Sequence, residues 1–318
     1  DYIGLIHQAK KFNVKNLIIT DYESYKKIKK KTKNLNIKIF NNFDQLNKIL
    51  KKKIDYVMSA ITGFEGLIPT LKVIKFTKKI AIANKEAIIC GWKLINKELK
   101  NYKTDFIPVD SEHFSLWYGL KNNNDKIDKI FLTASGGPFV NLPLKKFKNI
   151  NINQTLKHPN WKMGKKITVD SATMMNKIFE IIEARNIFDI SYDKISFLIH
   201  PKSYIHSIVK FQNGLIKLIA HDTDMKIPIF NSIYSNNSKK ELKSEDLNIN
   251  KLNNLDLKKI DSKRFPVTKI LKDVPLKNSF FETLLVSAND EFVKQFLRKK
   301  IKFTDISKNL MKFVKKDE

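Results

Sequence analysis

The sequence predicts an α/β protein with a doubly wound parallel sheet at its N-terminal end. Over residues 1–109, short apolar runs alternate with amphipathic segments, which is the pattern of parallel strands joined by helices. Residues 110–235 mix strand and helix patterns, and residues 266–318 carry helical periodicity. With 318 residues, the chain is long enough for two or three domains.

Five strands and the helices between them are predicted in residues 1–109. The strands cover residues 16–20, 37–40, 55–60, 79–83 and 104–109. The helices cover residues 7–12, 22–33 and 43–50, with two more starting at Pro69 and after Glu86. The last three strands run into polar or glycine residues, namely Gly63 and Gly66, Asn84 to Glu86, and Asp110 to Glu112. Because ligands bind beyond the carboxyl ends of parallel strands, we expect a crevice at this edge.

A glycine-rich phosphate loop is the feature that this pattern lacks. No strand is followed by G-x-G-x-x-G, and the word GFEG at 63–66 is a weak substitute. The chain also opens inside a segment with helical periodicity. We therefore expect that the first βαβ unit is missing from residues 1–109 and that the C-terminal helical region is incomplete.

The rest of the chain is predicted to form a central α+β region, a linker arm and a helical end. In residues 110–235, strands are expected at 130–134 and 194–200, and a hairpin with a type I′ turn at Asn213-Gly214. Residues 236–265 are rich in Lys, Asn, Asp and Ser and indicate a solvated linker. Helices are expected at 267–271, 280–298 and 303–314.

Residues 158–180 join a basic loop to the start of a helix. Asp170 or Ser171 is predicted to cap that helix, and an apolar stripe follows at helical spacing. The stripe consists of Met174, Ile178, Ile181 and Ile182. A helix start with a hydroxyl, an amide and a lysine favours phosphate binding. Spacing alone leaves open the alternative of a capped surface helix after a basic loop.

Three carboxylates indicate a site for a hard divalent cation. Asp110 and Glu112 lie two residues apart at a predicted strand end, so both should point to one side. Glu180 falls on the polar face of the later helix. Oxygen ligands of this kind suit Mg²⁺ or Mn²⁺. A D-x-E pair alone is weak evidence, because such pairs are common on surfaces.

The net charge of +28 is interpreted as a solvated surface. Only three of the 60 basic residues are arginine, the residue that nucleic-acid-binding proteins favour for forked contacts. The abundant Lys, Asn, Ile and Phe indicate an AT-rich genome. No apolar run approaches the roughly 20 residues of a membrane span. We expect neither nucleic acid nor membrane as a partner, and a bacterial cytoplasm as location, with a plastid as the alternative. The single cysteine, Cys90, excludes an internal disulfide and is expected to act as a small buried apolar residue.

Several longer words, in order along nearly the whole chain, resemble the 1-deoxy-D-xylulose 5-phosphate reductoisomerase family. They are ANKE at 83–86, PVDSEH at 108–113, SGGPF at 135–139, HPNW at 158–161, MG at 163–164 and VDSATMMNK at 169–177, with Glu180. IHS at 205–207, Met225, FP at 265–266 and SAND at 287–290 extend the resemblance. A nine-residue word such as VDSATMMNK is far more specific than any single short motif.

The resemblance implies a Rossmann-like NADPH domain at 1–109, a catalytic and metal-binding domain at 110–235, a linker arm at 236–265 and a helical domain at 266–318. It implies NADPH with Mn²⁺ or Mg²⁺ (Co²⁺ is an alternative), a phosphosugar substrate and a homodimer. The implied metal ligands are Asp110, Glu112 and Glu180. The implied substrate contacts are Lys85, Ser111, Glu112, Ser135, His158, Trp161, Ser171, Asn176, Lys177 and Glu180. The implied catalytic residues are Lys85, Glu112, His158 and Glu180, and the implied cofactor contacts are Asn84, Glu86, Met163 and Gly164.

Two departures from the family pattern lie near these positions. Ile178 stands where the family has glycine, and Phe114 stands where a smaller polar residue is expected. Both are expected to tighten packing near the site. Two other functions remain open at this point: a truncated, non-catalytic relative that binds phosphorylated ligands or nucleic acid, and another metal-dependent dehydrogenase of similar architecture.

Overall fold

The computed structural model describes residues 2–31, 36–234, 239–243, 246–277 and 279–315. Its N-terminal part alternates helices and strands as predicted, and the predicted helix end at residues 32–33 lies outside the described residues. The elements are α1 (Tyr2–Lys11), β1 (Asn16–Ile18), α2 (Tyr22–Lys31), β2 (Lys38–Phe40), α3 (Leu46–Ile49), β3 (Ile54–Ser59), α4 (Leu67–Ile74), β4 (Thr77–Ile82), α5 (Lys85–Tyr102) and β5 (Asp105–Pro108).

The N-terminal strands pair in parallel, as the alternation predicts. Strands β1 and β2 form one sheet, and β3, β4 and β5 form a second sheet in that order. The central strand β4 is buried at Ile80, Ala81 and Ile82. Because the three strands of the second sheet are parallel, the residues that follow β4 and β5 meet at one edge, as the sequence predicts.

The central part is a mixed sheet with helices packed against it. Its elements are α6 (Ser111–Leu120), β6 (Ile127–Ala134), α7 (Ile152–Thr155), α8 (Lys165–Thr173), α9 (Met175–Phe188), β7 (Ile195–Ile199), β8 (Ile205–Phe211), β9 (Ile216–Ala220) and α10 (Lys226–Tyr234). The strand order is β7-β6-β8-β9, in which β6 and β7 are parallel and the other pairs antiparallel.

The predicted type I′ turn between β8 and β9 is wrong, although the hairpin itself is confirmed. Gly214 has φ 89°, whereas Asn213 is not among the described residues with positive φ, and a type I′ turn needs both. The N–H of Gly214 donates to Phe211 O at 3.1 Å, and the N–H of Phe211 donates to Leu215 O at 2.9 Å. The connection is therefore a three-residue loop that ends in a left-handed glycine.

The predicted cap at Asp170 or Ser171 is also wrong. Helix α8 already begins at Lys165, so both residues lie inside it, and the break comes at Met174 with φ 69°. The chain then restarts as α9, whose first N–H group, on Met175, donates to Thr173 Oγ1 at 3.3 Å. Met174 and the stripe that follows it are buried, as predicted. Ile178 and Phe114, the two departures from the family pattern, are buried as well.

The C-terminal helices share one apolar core with α9 and the central sheet. They are α11 (Ile249–Asn253), a 3-10 segment (Pro266–Lys272), α12 (Phe281–Leu297) and α13 (Phe303–Val314). Phe179 of α9, Val286 of α12 and Leu310 of α13 are members of that core. Half-buried Cys90 packs against it, and burial raises the pKa of its thiol to about 11. No helix in the described ranges is both long and apolar enough to cross a membrane.

The C-terminal end of α5 provides a stability test. Lys103, which is exposed, ends this helix in the left-handed region at φ 49°, where its N–H donates to Lys100 O at 3.3 Å. We expect Lys103→Gly to raise the free energy of unfolding by about 1 kcal/mol, because glycine adopts this conformation without steric cost. Lys97→Gly, at an exposed site inside the same helix, should lower it by about 1 kcal/mol. Urea unfolding followed by circular dichroism compares the two variants. Equal destabilisation by both would contradict the left-handed conformation of Lys103.

Candidate active site

A cavity of about 270 Å³ lies where the carboxyl ends of β4 and β5 meet α6, β6 and α9. It brings together the three predicted metal ligands and all ten predicted substrate contacts. The residues that line it include Lys85, Asp110, Ser111, Glu112, Ser135, His158, Trp161, Met163, Ser171, Asn176, Lys177 and Glu180. Of the predicted cofactor contacts, Met163 lines this cavity, whereas Asn84, Glu86 and Gly164 do not.

Three carboxylates converge at one end of the cavity. Oxygens of Asp110, Glu112 and Glu180 all lie within 4.8 Å of one another. The reason predicted from the sequence is wrong, because β5 ends at Pro108 and Glu112 lies in the first turn of α6. The start of α6, rather than strand alternation, therefore places Asp110 and Glu112 on one side. The positive end of that helix also favours acidic groups.

Two buried lysines compensate these carboxylates. Lys85 Nζ lies 2.8 Å from Asp110 Oδ2 and 3.2 Å from Glu180 Oε1. Lys177 Nζ lies 2.7 Å from Glu112 Oε1 and pairs with Glu180 as well. Burial opposes the charge on Lys85, but the neighbouring carboxylates outweigh burial and hold its pKa well above the usual value.

The carboxylates remain in excess of the lysines by one charge. Burial, and then repulsion from Glu112, raises the pKa of Glu180 despite its two lysine partners. By contrast, burial at Asp110 is outweighed by Lys85 and His113 together, which keep the pKa of that carboxyl well below its usual range. A cation between the three oxygens would relieve the repulsion at Glu180. Three carboxylate oxygens, whose negative charges exceed the charges of the two lysines by one, fit a hard divalent ion.

Two serines lie at the other end of the cavity, joined by one histidine. Ser135 Oγ and Ser171 Oγ each lie 3.1 Å from Nε2 of His158. Ser135 comes from the end of β6, and Ser171 from the last turn of α8. Gly137, with φ 66°, permits this approach, since a Cβ there would lie 3.0 Å from Ser171 O.

His158 is held in one neutral tautomer. Its Nδ1 accepts backbone N–H groups from Asn160 at 3.2 Å and Trp161 at 3.0 Å. The proton must therefore lie on Nε2, which faces the two serine hydroxyls. Burial lowers the pKa of His158 to about 4. The structure thus makes this histidine a hydrogen-bond donor toward the serine end and an anchor for the loop that carries Trp161.

Comparisons with known proteins agree with the resemblance. The sequence profile described as 1-deoxy-D-xylulose 5-phosphate reductoisomerase matches residues 2–91. Two profiles for C-terminal domains of the same enzyme match residues 106–188 and 221–318. The 1-deoxy-D-xylulose 5-phosphate reductoisomerase of Pelagibacter ubique is 64% identical over 98% of this chain and 81% of its own length. The chain belongs to the 1-deoxy-D-xylulose 5-phosphate reductoisomerase family.

Another relative and two solved structures extend this comparison. The reductoisomerase of Sulfurihydrogenibium sp. is 39% identical over 98% of this chain and 80% of its own length. A reductoisomerase complex with NADPH, fosmidomycin and magnesium has a TM-score of 0.85 at 29% identity, covering 98% of this chain and 80% of its own. The enzyme from Zymomonas mobilis in complex with NADPH has a TM-score of 0.85 at 32% identity, covering 99% and 82%. The α/β, Rossmann-like fold class is thereby confirmed.

Three residues that the reductoisomerase resemblance assigns to the cofactor have other partners in this structure. Asn84 caps α5 by accepting the N–H of Ala87 at 2.7 Å, and its amide donates to Gly63 O at 2.7 Å. Glu86 accepts a bond from Lys166 Nζ at 2.8 Å. Gly164 is the N-cap residue of α8. Their contacts with a cofactor stay predictions, as do the domain boundaries and the individual roles of the other site residues.

His206, Ser203 and Met225 also line the cavity, although no role was predicted for them. His206 is buried, and its ring stacks on His221 at 3.7 Å and lies 6.2 Å from Trp161. Burial lowers its pKa to about 3. Its place in the word IHS at 205–207 was the feature of the sequence that could have indicated a site residue. The hydrophobic pattern alone does not distinguish a histidine in the core from one that lines a cavity.

The tautomer of His158 can be checked by NMR. We expect ¹⁵N spectra of the folded protein to show an Nε2-protonated ring whose pKa is about 4. The pKa lies below the ordinary value of about 6.5, so the protein should lose stability as the pH falls through this window. His158→Asn identifies the signal, and the wild-type protein in concentrated urea is the reference. A midpoint near the urea value would contradict the assignment.

Proposed function

We propose that this chain catalyses the isomerisation of 1-deoxy-D-xylulose 5-phosphate and the NADPH-dependent reduction of the product to 2-C-methyl-D-erythritol 4-phosphate. The reaction belongs to isoprenoid precursor biosynthesis. The observation that carries the proposal is one cavity with a carboxylate and lysine cluster at one end and two histidine-linked serines at the other. A phosphorylated hydroxyketone has matching ends, because its reacting oxygens and its phosphate are separated along the carbon chain.

Asp110, Glu112 and Glu180 would hold Mg²⁺ or Mn²⁺. When bound, such an ion polarises the substrate carbonyl as a Lewis acid. Lys85 would stabilise negative charge that develops on the reacting oxygen. Its position is fixed by Asn176, whose Oδ1 accepts a bond from Lys85 Nζ at 2.7 Å. Fixing a charged donor in advance avoids reorganisation during the reaction.

The substrate phosphate would bind between Ser135, Ser171 and the start of α9. The break at Met174 puts Asn176 and Lys177 in the first turn of α9, whose positive end attracts an anion. The Nε2–H group of His158 donates to the oxygens of the two serine hydroxyls. The O–H groups of the serines would then be free to donate into the cavity. The contacts to the phosphate would position the substrate, although they do not take part in the reaction itself.

The loop that begins at His158 would close over the bound substrate. Asn160 ties it to the central sheet region by donating to Pro201 O at 2.6 Å and to Ser203 Oγ at 2.8 Å. Beyond this anchor, Trp161 and Met163 line the cavity. Apolar side chains at this place would exclude water from the aldehyde that the isomerisation forms and from NADPH, the hydride donor. Met163, with Ala83 at the end of β4, fits contact with a nicotinamide ring.

The homodimer is also part of this proposal. Strand β9 is an edge of the four-stranded sheet, and Leu215, Ile216 and Leu218 on and beside it are 62%, 55% and 49% exposed. An exposed apolar edge strand is a surface that proteins cover by pairing. A second copy of the chain could extend the sheet across this edge.

The location that we propose is the cytoplasm of a bacterium. Its support is the bacterial origin of the relatives named above, together with the composition expected of an AT-rich genome.

Substrate-dependent loss of NADPH absorbance in the presence of Mn²⁺ tests the activity. Glu180→Gln should lower kcat/KM by about 100-fold or more, because an amide replaces a charged ligand. Glu291→Gln on α12, an exposed position outside the cavity, is the matched control and should keep full activity. Absence of turnover in the wild-type protein, or full activity in Glu180→Gln, would refute the proposal.

The dimer is tested separately by analytical ultracentrifugation. Leu218→Lys puts a charge on the exposed edge and should shift the protein from dimer to monomer, because a charged edge strand resists pairing. Lys217→Arg, at the neighbouring exposed position, keeps the charge and should leave the mass unchanged. A wild-type protein that sediments as a monomer at all concentrations would refute this part alone.

A further inference from the structure

Behind the three carboxylates lies a second group of ionisable residues that does not reach the cavity. Asp110, His113 and Glu183 place their polar atoms within 4.8 Å of one another. His113 is 0% exposed and Glu183 is 1% exposed. Neither is among the residues that line the cavity. Asp110 is therefore the member of this group that lines the cavity.

His113 contacts both helices that supply the metal ligands. It lies in the first turn of α6, and its Nε2 lies 2.8 Å from the backbone oxygen of Glu180 in α9. Because a carbonyl oxygen only accepts, Nε2 must donate. On the other side of the ring, Nδ1 lies 3.4 Å from Glu183 Oε2 and 3.7 Å from Asp110 Oδ1. The imidazole thus spans Asp110, Glu183 and the main chain at Glu180.

Burying the charged side chain of Glu183 costs folding free energy. It lies one turn after Glu180 in α9, between Ile182 and Ala184, both of which are buried. Within the described residues, Glu183 Oε2 and His113 Nδ1 form no aligned hydrogen bond. A buried ion pair of this kind is a poor source of stability, because replacing both partners by apolar residues of similar size is often neutral. Stability therefore does not explain the presence of the Glu183 carboxylate, and we expect it to have another role.

We propose that Glu183, acting through His113, is a positioning residue for the divalent cation site. The pair fixes the carboxylate of Asp110 and the backbone at Glu180 at the separation that the ion requires. Asp110 is held from two sides, since Lys85 Nζ lies 2.8 Å from Oδ2 while His113 faces Oδ1. Outer groups that orient metal ligands are a general feature of metal sites. This inference rests on the metal site of the proposed function.

The test is Mn²⁺ binding to the purified protein, measured by the electron paramagnetic resonance signal of free Mn²⁺, without substrate or NADPH. Glu183→Met removes the charge and keeps much of the volume. We expect it to weaken Mn²⁺ binding by about 10- to 100-fold. Its thermal unfolding midpoint should be lower, because His113 loses its carboxylate partner in the interior, so Mn²⁺ binding is measured at a temperature at which the variant is folded. In turnover assays, the KM for Mn²⁺ should rise while kcat at saturating Mn²⁺ is retained.

The matched control is Glu282→Met, which removes another buried carboxylate. Glu282 lies in α12, outside the cavity, and accepts a bond from Ser279 Oγ at 2.9 Å. The Glu282→Met variant should therefore bind Mn²⁺ with wild-type affinity. Glu183→Gln is the second variant, with near-identical shape, and keeps the test valid if Glu183→Met does not fold. Weakened Mn²⁺ binding in folded Glu183→Gln supports the proposal.

Three results would overturn the inference. A folded Glu183 variant with wild-type Mn²⁺ affinity, in an enzyme that turns over, removes the positioning role and leaves the proposed function intact. Two ions per wild-type chain, one of them lost in Glu183→Gln, would make the group a second metal site instead. A wild-type protein that binds no Mn²⁺ and shows no turnover removes the proposed function and this inference together.

Discussion

Two buried lysines, Lys85 and Lys177, hold together three carboxylates that would otherwise repel one another in the interior. Lys85 comes from the start of α5, Lys177 and Glu180 from α9, and the other two acids from the start of α6. The ion pairs therefore fix how the parallel sheet sits against the central helices. They leave one negative charge in excess, and that excess supports the cation site proposed for this structural junction.

The break between α8 and α9 is the second constraint. One continuous helix would have its only N-terminus at Lys165, far in sequence from Glu180. The left-handed Met174 creates a new helix start beside the cavity, and it does so within the apolar core. The proposed phosphate end and the proposed metal end are therefore both built from α9, one from its first turn and one from its second.

The charge of the whole chain and the charge of the site have opposite signs. The net charge is +28, yet carboxylates outnumber lysines in the metal cluster and at Lys166, which pairs with Glu86, Asp170 and Asp290. A positive exterior would attract an anionic substrate over a long range, while the local carboxylates would bind the proposed cation. Non-catalytic binding of nucleic acid would use the exterior alone and gives no reason for the convergence of the predicted site residues in one cavity.

The sequence by itself determined the α/β class, the places of most elements and the candidate site residues, which the structure brings into one cavity. Those follow from periodicity and from long, specific words, which are local properties of the chain. Only the tertiary structure decided that Met174 interrupts the helix, that α6 rather than a strand presents Glu112, and that Glu183 stands behind Asp110. A left-handed residue is stabilised by packing around Met174 and leaves no local signal. Likewise, ion pairs between residues about 70 to 95 positions apart depend on how separate helices dock.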